Sequence, residues 1–124
     1  MAQRHVLVVD DEPAVLDIIS RDLTAAGYRV TTAASGFAAL KSARRDRPDV
    51  AIIDLLMPGL DGYQLTSMFK RDLTLKIPVV VITGRCRESD VQRARDLGAD
   101  MFLRKPFNSK TLRDSIQQLL NAPQ

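Results

Sequence analysis

The sequence predicts an α/β fold, a single-domain doubly wound sheet of five parallel strands with helices on both faces. Five short apolar runs, Val6–Val9, Tyr28–Ala33, Val50–Asp54, Pro78–Ile82 and Met101–Leu103, recur along the 124 residues. Each run is followed by a segment whose apolar residues return at helical spacing. Strands alternating with helical segments imply parallel pairing, right-handed crossovers and a sheet covered on both sides.

The first strand ends at Asp10-Asp11-Glu12, and Pro13 suits the first turn of a helix, where its missing N–H removes no bond. Val15, Ile18, Ile19 and Leu23 form that helix's apolar face, and Gly27 stops it. The second strand is β-branched at Val30, Thr31 and Thr32. Ser35 can cap a second helix that carries Phe37, Leu40 and Ala43 inward. The third strand is wholly apolar up to Asp54, so it reads as buried on both faces. Asp61 can cap a third helix with Leu65, Met68, Phe69 and Leu73 on one side. The fourth strand tolerates Pro78 because the proline stands at its start. A fourth helix runs from about Glu88 to Leu97 and stops at Gly98. The fifth strand ends at Arg104-Lys105-Pro106, and Asn108 or Ser109 caps a last helix with Leu112, Ile116, Leu119 and Leu120 inward.

Composition narrows the function classes. Hydrophobic residues make up 45% and charged residues 27%, an ordinary globular balance. The apolar runs fall far short of the ~20 residues that span a bilayer. No signal-peptide pattern precedes Val6, and Cys86, the one cysteine, excludes an internal disulfide or a cysteine metal cluster. A cytoplasmic setting is expected. Residues 1–62 hold nine acids and seven bases, and residues 63–124 six acids and eleven bases. The basic half carries no dense basic stretch, and aromatics are only 5%, so direct nucleic acid binding is not expected. Arg85, Arg87, Arg93 and Arg95 make the fourth helix and its lead-in basic, with Asp90 and Asp96 as pairing partners for Arg93. His5, ahead of the first strand, reads as a surface or edge residue.

In a parallel sheet all strand C-terminal ends share one rim. That rim collects Asp10, Asp11, Asp54, Thr83 and Lys105, none close to the others in sequence apart from the Asp pair. Crowded carboxylates raise one another's pKa, and a divalent cation relieves the conflict. An all-oxygen ligand set favours Mg²⁺, Mn²⁺ or Ca²⁺ over zinc. A metal, an ammonium and a hydroxyl around one carboxylate suit a phosphoryl group, with Asp54 as nucleophile.

The pieces Val8-Val9-Asp10-Asp11-Glu12-Pro13, Asp54 with Met57-Pro58 and Asp61-Gly62, Val81-Ile82-Thr83-Gly84, and Leu103-Arg104-Lys105-Pro106-Phe107 fall in order at the ends of the right strands. In them the sequence resembles the receiver domain of two-component response regulators, over essentially all of residues 1–124. The resemblance implies a flavodoxin-like (βα)5 sheet of order 2-1-3-4-5. It also implies Asp54 as phosphoacceptor, Mg²⁺ or Mn²⁺ held by Asp11, Asp54 and the Leu56 backbone carbonyl, and Asp10 as a supporting acid. Thr83 and Phe102 would be the switch residues, Lys105 the ion-pair partner of the phosphoryl group, and Lys105-Pro106 a cis bond. The implied donor is a histidine kinase or histidine phosphotransfer protein. The implied output is a downstream protein or an output domain acting through the fourth helix, fifth strand and fifth helix, or a phosphorylation-linked dimer. Such a protein catalyses its own phosphorylation and dephosphorylation and turns over no separate substrate. Apolar Leu56, together with Arg85 two residues past Thr83, gives little polar help to a hydrolytic water, so slow hydrolysis is expected. Two rival classes are a receiver-fold interaction module that is never phosphorylated and a phosphatase using Asp54 on small esters. The residues do not decide between a stand-alone regulator and a receiver joined to an output domain or a hybrid kinase.

Overall fold

The computed structural model describes residues 3–84 and 87–121. The elements are β1 (His5–Val9), α1 (Pro13–Ala25), β2 (Arg29–Ala33), α2 (Gly36–Arg45), β3 (Val50–Asp54), α3 (Gly62–Arg71), β4 (Val79–Thr83), α4 (Glu88–Asp96), β5 (Met101–Arg104) and α5 (Ser109–Asn121). The strands form one sheet in the order β2-β1-β3-β4-β5, and every pairing is parallel. This is the flavodoxin-like order that the sequence resemblance implies. No helix among the described residues is long and apolar enough to cross a membrane.

Strand side chains alternate between faces, and the core divides accordingly. Leu7, Val9, Ala51, Ile53, Val79 and Val81 pack with Ala39, Leu40, Leu65, Phe69 and Ala94 from α2, α3 and α4. Val6, Val8, Val50, Ile52, Val80 and Ile82 pack on the other face with Ile19 and Leu23 of α1 and Leu112 and Ile116 of α5. The three inner strands are buried at every residue, while the edges β2 and β5 are partly open.

The caps follow side-chain chemistry. Ser35 Oγ accepts from the Ala38 N–H at 3.2 Å. Asp61 and Gln64 form a reciprocal capping box at the start of α3, each side chain accepting the other's backbone N–H. Of the two candidates for α5, Asn108 is the residue whose side chain accepts the Thr111 N–H, at 2.7 Å.

Several apolar residues assigned inward positions lie outside instead. Phe37 is 68% exposed, Ile18 65% and Leu73 78%. A helix resting on a sheet buries a narrow stripe, and α2 meets its quota with Ala39, Leu40 and Ala43. Leu73 lies beyond the last residue of α3. Met68, 37% exposed, lies at the edge of the stripe. His5 departs from expectation in the other direction. It begins β1, is buried, and places Nε2 2.8 Å from Thr31 Oγ1, while its backbone N–H donates to Asp49 Oδ2 at 2.7 Å. Strand β2 and the segment after α2 fold over it.

Candidate functional site

Strand parity decides which rim residues meet. Val8 and Asp10, Ile52 and Asp54, and Leu103 and Lys105 continue the sheet face covered by α1 and α5. Thr83, two residues past Val81, continues the opposite face, where Phe102 also packs. The N–H of Asp10 donates to Ala33 O at 3.2 Å, which extends the β1–β2 ladder one residue and fixes that carboxylate over the rim.

Asp10 is fully buried. Its Oδ1 accepts the Glu12 N–H at 2.9 Å, and its Oδ2 accepts from Lys105 Nζ at 2.8 Å. Asp54 is 4% exposed, and its Oδ1 accepts the Leu56 N–H at 3.2 Å. Lys105 Nζ lies 3.7 Å from Asp54 Oδ2 and 3.7 Å from Glu12 Oε1. Asp11 and Glu12 are exposed. Asp10, Asp11, Glu12 and Asp54 each bring one carboxylate oxygen within 4.8 Å of the others. Four carboxylates face one ammonium, so the site carries excess negative charge. The donor set is all oxygen and partly open to solvent, which fits a hard divalent cation.

The electrostatics centre on Asp54. Burial pushes its carboxyl up to about 6, with the negative charge of Asp10 adding to the effect and Asp11 contributing less. Lys105 and the Leu56 N–H pull in the other direction. For Lys105, burial works against the charged form. The hydrogen bond to Asp10, with the charges of Asp54, Asp10 and Glu12, outweighs burial and raises the ammonium above its ordinary value.

Gly62 holds the loop against the site. Its N–H donates to Leu55 O at 3.0 Å, and a Cβ at this position would overlap the Asp54 carbonyl oxygen and the Leu55 Cα. Only glycine lets the first turn of α3 approach the end of β3 so closely. Leu56, 59% exposed, lies at the mouth of the site.

Thr83 is buried at the end of β4, whose Ile82 O accepts the Leu55 N–H at 3.1 Å. The Lys105 N–H donates to Thr83 O at 2.8 Å, which ties the residue after β5 to the same rim. The Lys105-Pro106 bond is cis. Phe102 is half-buried against the α2–α4 face, opposite Val81, and the Arg104 guanidinium lies 5.9 Å from its ring centre. Arg85 and Cys86 lie outside the described residues.

Glu12 joins the acidic cluster although it was not among the candidate ligands. Its position directly after two rim acids was the available signal. Arg93 pairs differently from the expected helix-face ion pairs. Asp90 accepts the Arg87 N–H and Asp96 accepts from Gln92, while the Arg93 guanidinium stacks 4.0 Å above the Tyr63 ring.

Comparisons with known proteins agree with this architecture. Residues 6–117 match the family described as "Response regulator receiver domain". The chain is 40% identical over 114 residues to the heme response regulator HssR of Staphylococcus aureus, covering 92% of this chain and 50% of that protein. It is 32% identical over 117 residues to the alkaline phosphatase synthesis transcriptional regulatory protein PhoP of Bacillus subtilis, covering 94% and 48%. The chain thus spans about half the length of these curated relatives. Among solved structures, the chemotaxis protein CheY4 of Vibrio cholerae superposes with a TM-score of 0.90 at 34% identity, covering 95% of this chain and 99% of that one. The receiver domain of a signal transduction histidine kinase from Syntrophus aciditrophicus superposes with a TM-score of 0.88 at 33% identity, covering 94% and 89%. With the match over residues 6–117, the chain belongs to the response regulator receiver domain family of two-component signalling.

Proposed function

We propose that this domain accepts a phosphoryl group on Asp54 from a phosphohistidine of a histidine kinase or phosphotransfer protein, and that the modification reshapes a partner-binding face. The observation that carries this reading is the pairing of a buried, hard-to-ionise Asp54 with Lys105 inside an all-oxygen cluster. An Asp54 oxygen attacks phosphorus, the donor P–N bond breaks, and the imidazole nitrogen leaves with the electron pair. Asp11, Asp54 and the Leu56 carbonyl would hold Mg²⁺ or Mn²⁺, with Asp10 and Glu12 in support; the ion, when bound, offsets the negative charge of the incoming group. Lys105 moves its ammonium from Asp10 toward the new phosphoryl oxygens. Thr83 donates its hydroxyl to another of those oxygens, and Phe102 on the same sheet face turns inward behind it. The response then reaches α4, β5 and α5. Exposed Ile18, with Val15, Pro106 and Phe107, lines an apolar hollow of about 260 Å³ beside Lys105, a surface suited to the donor.

Acetyl phosphate with Mg²⁺ should label the wild-type chain and leave Asp54→Asn unlabelled, as read by intact-protein mass. Equal labelling of both would refute the assignment.

A further inference from the structure

A second surface, lined by none of the rim acids, has its own chemistry. Between α3 and α4 runs an open groove of about 570 Å³, floored by Leu60, Tyr63, Met68 and Leu97 and edged by Arg71 and Arg93. No carboxylate lines it among the described residues. The acids of α4 are engaged elsewhere, Asp90 with the Arg87 N–H and Asp96 with Gln92. Neither Arg71 nor Arg93 has an ion-pair partner among the described residues. Arg93 lies 4.0 Å from the Tyr63 ring centre. Stacking uses the face of a guanidinium and leaves its in-plane N–H groups for a carboxylate. Met68 is 37% exposed, so the floor offers apolar surface to a partner.

We propose that this groove docks an acidic peptide segment anchored by a bulky apolar side chain. The apolar floor takes the anchor, and the two arginines pair with carboxylates on either side of it. The ten residues of α3 give the groove a length of about 15 Å, which matches four to five extended residues at about 3.3 Å each. Charge complementarity selects the partner: a neutral peptide gains only the anchor, and a basic one is repelled. None of the groove's residues belongs to the acidic rim, and the variants that test the docking leave Asp10, Asp11, Asp54 and Lys105 intact.

The test is a titration of the ¹⁵N-labelled full chain at low salt with the hexapeptide Glu-Asp-Phe-Leu-Asp-Glu, followed by amide chemical shifts. Saturable shifts confined to residues 60–71 and 91–98 are expected. The peptide Gln-Asn-Phe-Leu-Asn-Gln should bind about tenfold more weakly, as should the acidic peptide to the double variant Arg71→Gln, Arg93→Gln, since two exposed ion pairs together contribute roughly that factor. The proposal is overturned by equal binding of the neutral peptide, by shifts that map to another surface, or by no shift at millimolar peptide. The same shifts on raising protein concentration without peptide would also overturn it, because the groove would then take a second copy of the chain.

Discussion

Burial lets Asp54 keep its proton to a higher pH than an ordinary aspartate does. Its ordinary carboxyl value is 3.8, and in the fold it is pushed up to about 6. Below about pH 4 both folded and unfolded chains keep the proton, so Asp54 contributes no difference. Between pH 4 and 6 the unfolded chain releases a proton that the folded chain retains, and stability falls as pH rises. Above pH 6 the penalty is complete, on the order of 2–3 kcal/mol. In metal-free protein, Asp54→Asn should therefore gain on the wild type by about 2 kcal/mol between pH 4.5 and pH 8, read from urea midpoints. A pH-independent difference would contradict this electrostatic picture. Lys105 is the counterpart. Its removal leaves the fully buried Asp10 without a cation. Lys105→Met in metal-free protein should lose about 3 kcal/mol at pH 7, because breaking a buried pair strands a charge. A loss under about 0.5 kcal/mol in the same urea assay would mean the pair is solvated.

At the scale of elements, the first turn of α3 matters most. Gly62→Ala forces a methyl into the backbone at Asp54 and Leu55. It should cost about 2–4 kcal/mol in urea denaturation and lower the rate of Asp54 labelling. A neutral substitution would mean that the loop relaxes freely. The motif Asp61-Gly62 was legible in the sequence as a cap and a turn, since side-chain chemistry and φ/ψ preference are local. The close approach that demands glycine was not, because it is made with a strand end seven or eight residues earlier. Helix faces divide in the same way. The residues that touch the sheet follow the 3.6-residue period, as Leu65 and Phe69 do. The fate of Phe37 or Ile18 at the stripe's margin depends on what neighbouring elements cover. Arg93 could pair with Asp90 or Asp96 by spacing alone; the tertiary placement of Tyr63 decided otherwise.

Across the whole molecule, burial grades from the centre of the sheet outward. Amides of β1, β3 and β4 should exchange hydrogen most slowly, close to the global unfolding limit, with β2 and β5 faster by tenfold or more. Uniform protection across all five strands would argue against this gradation. The architecture was legible because five buried runs and five amphipathic segments leave few ways to cover a parallel sheet. The rim acids could also be gathered by topology alone, as strand ends. His5 reads from the sequence as a surface or edge residue and is buried, because its partners lie on β2 and at Asp49, neither of them near it in sequence.

The central claim is that one carboxylate of a crowded cluster is the phosphoacceptor. Asp10, Asp11, Glu12 and Asp54 lie close enough that loss of labelling in one variant can reflect damage to the others. The most direct measurement is reductive trapping: label the wild-type chain with acetyl phosphate and Mg²⁺, reduce the acyl phosphate with borohydride, and sequence the peptides by mass spectrometry. Reduction to homoserine at position 54 alone is the predicted result. Homoserine at position 10 or 11, 2-amino-5-hydroxypentanoic acid at position 12, or no reduced residue at any of the four, would contradict it.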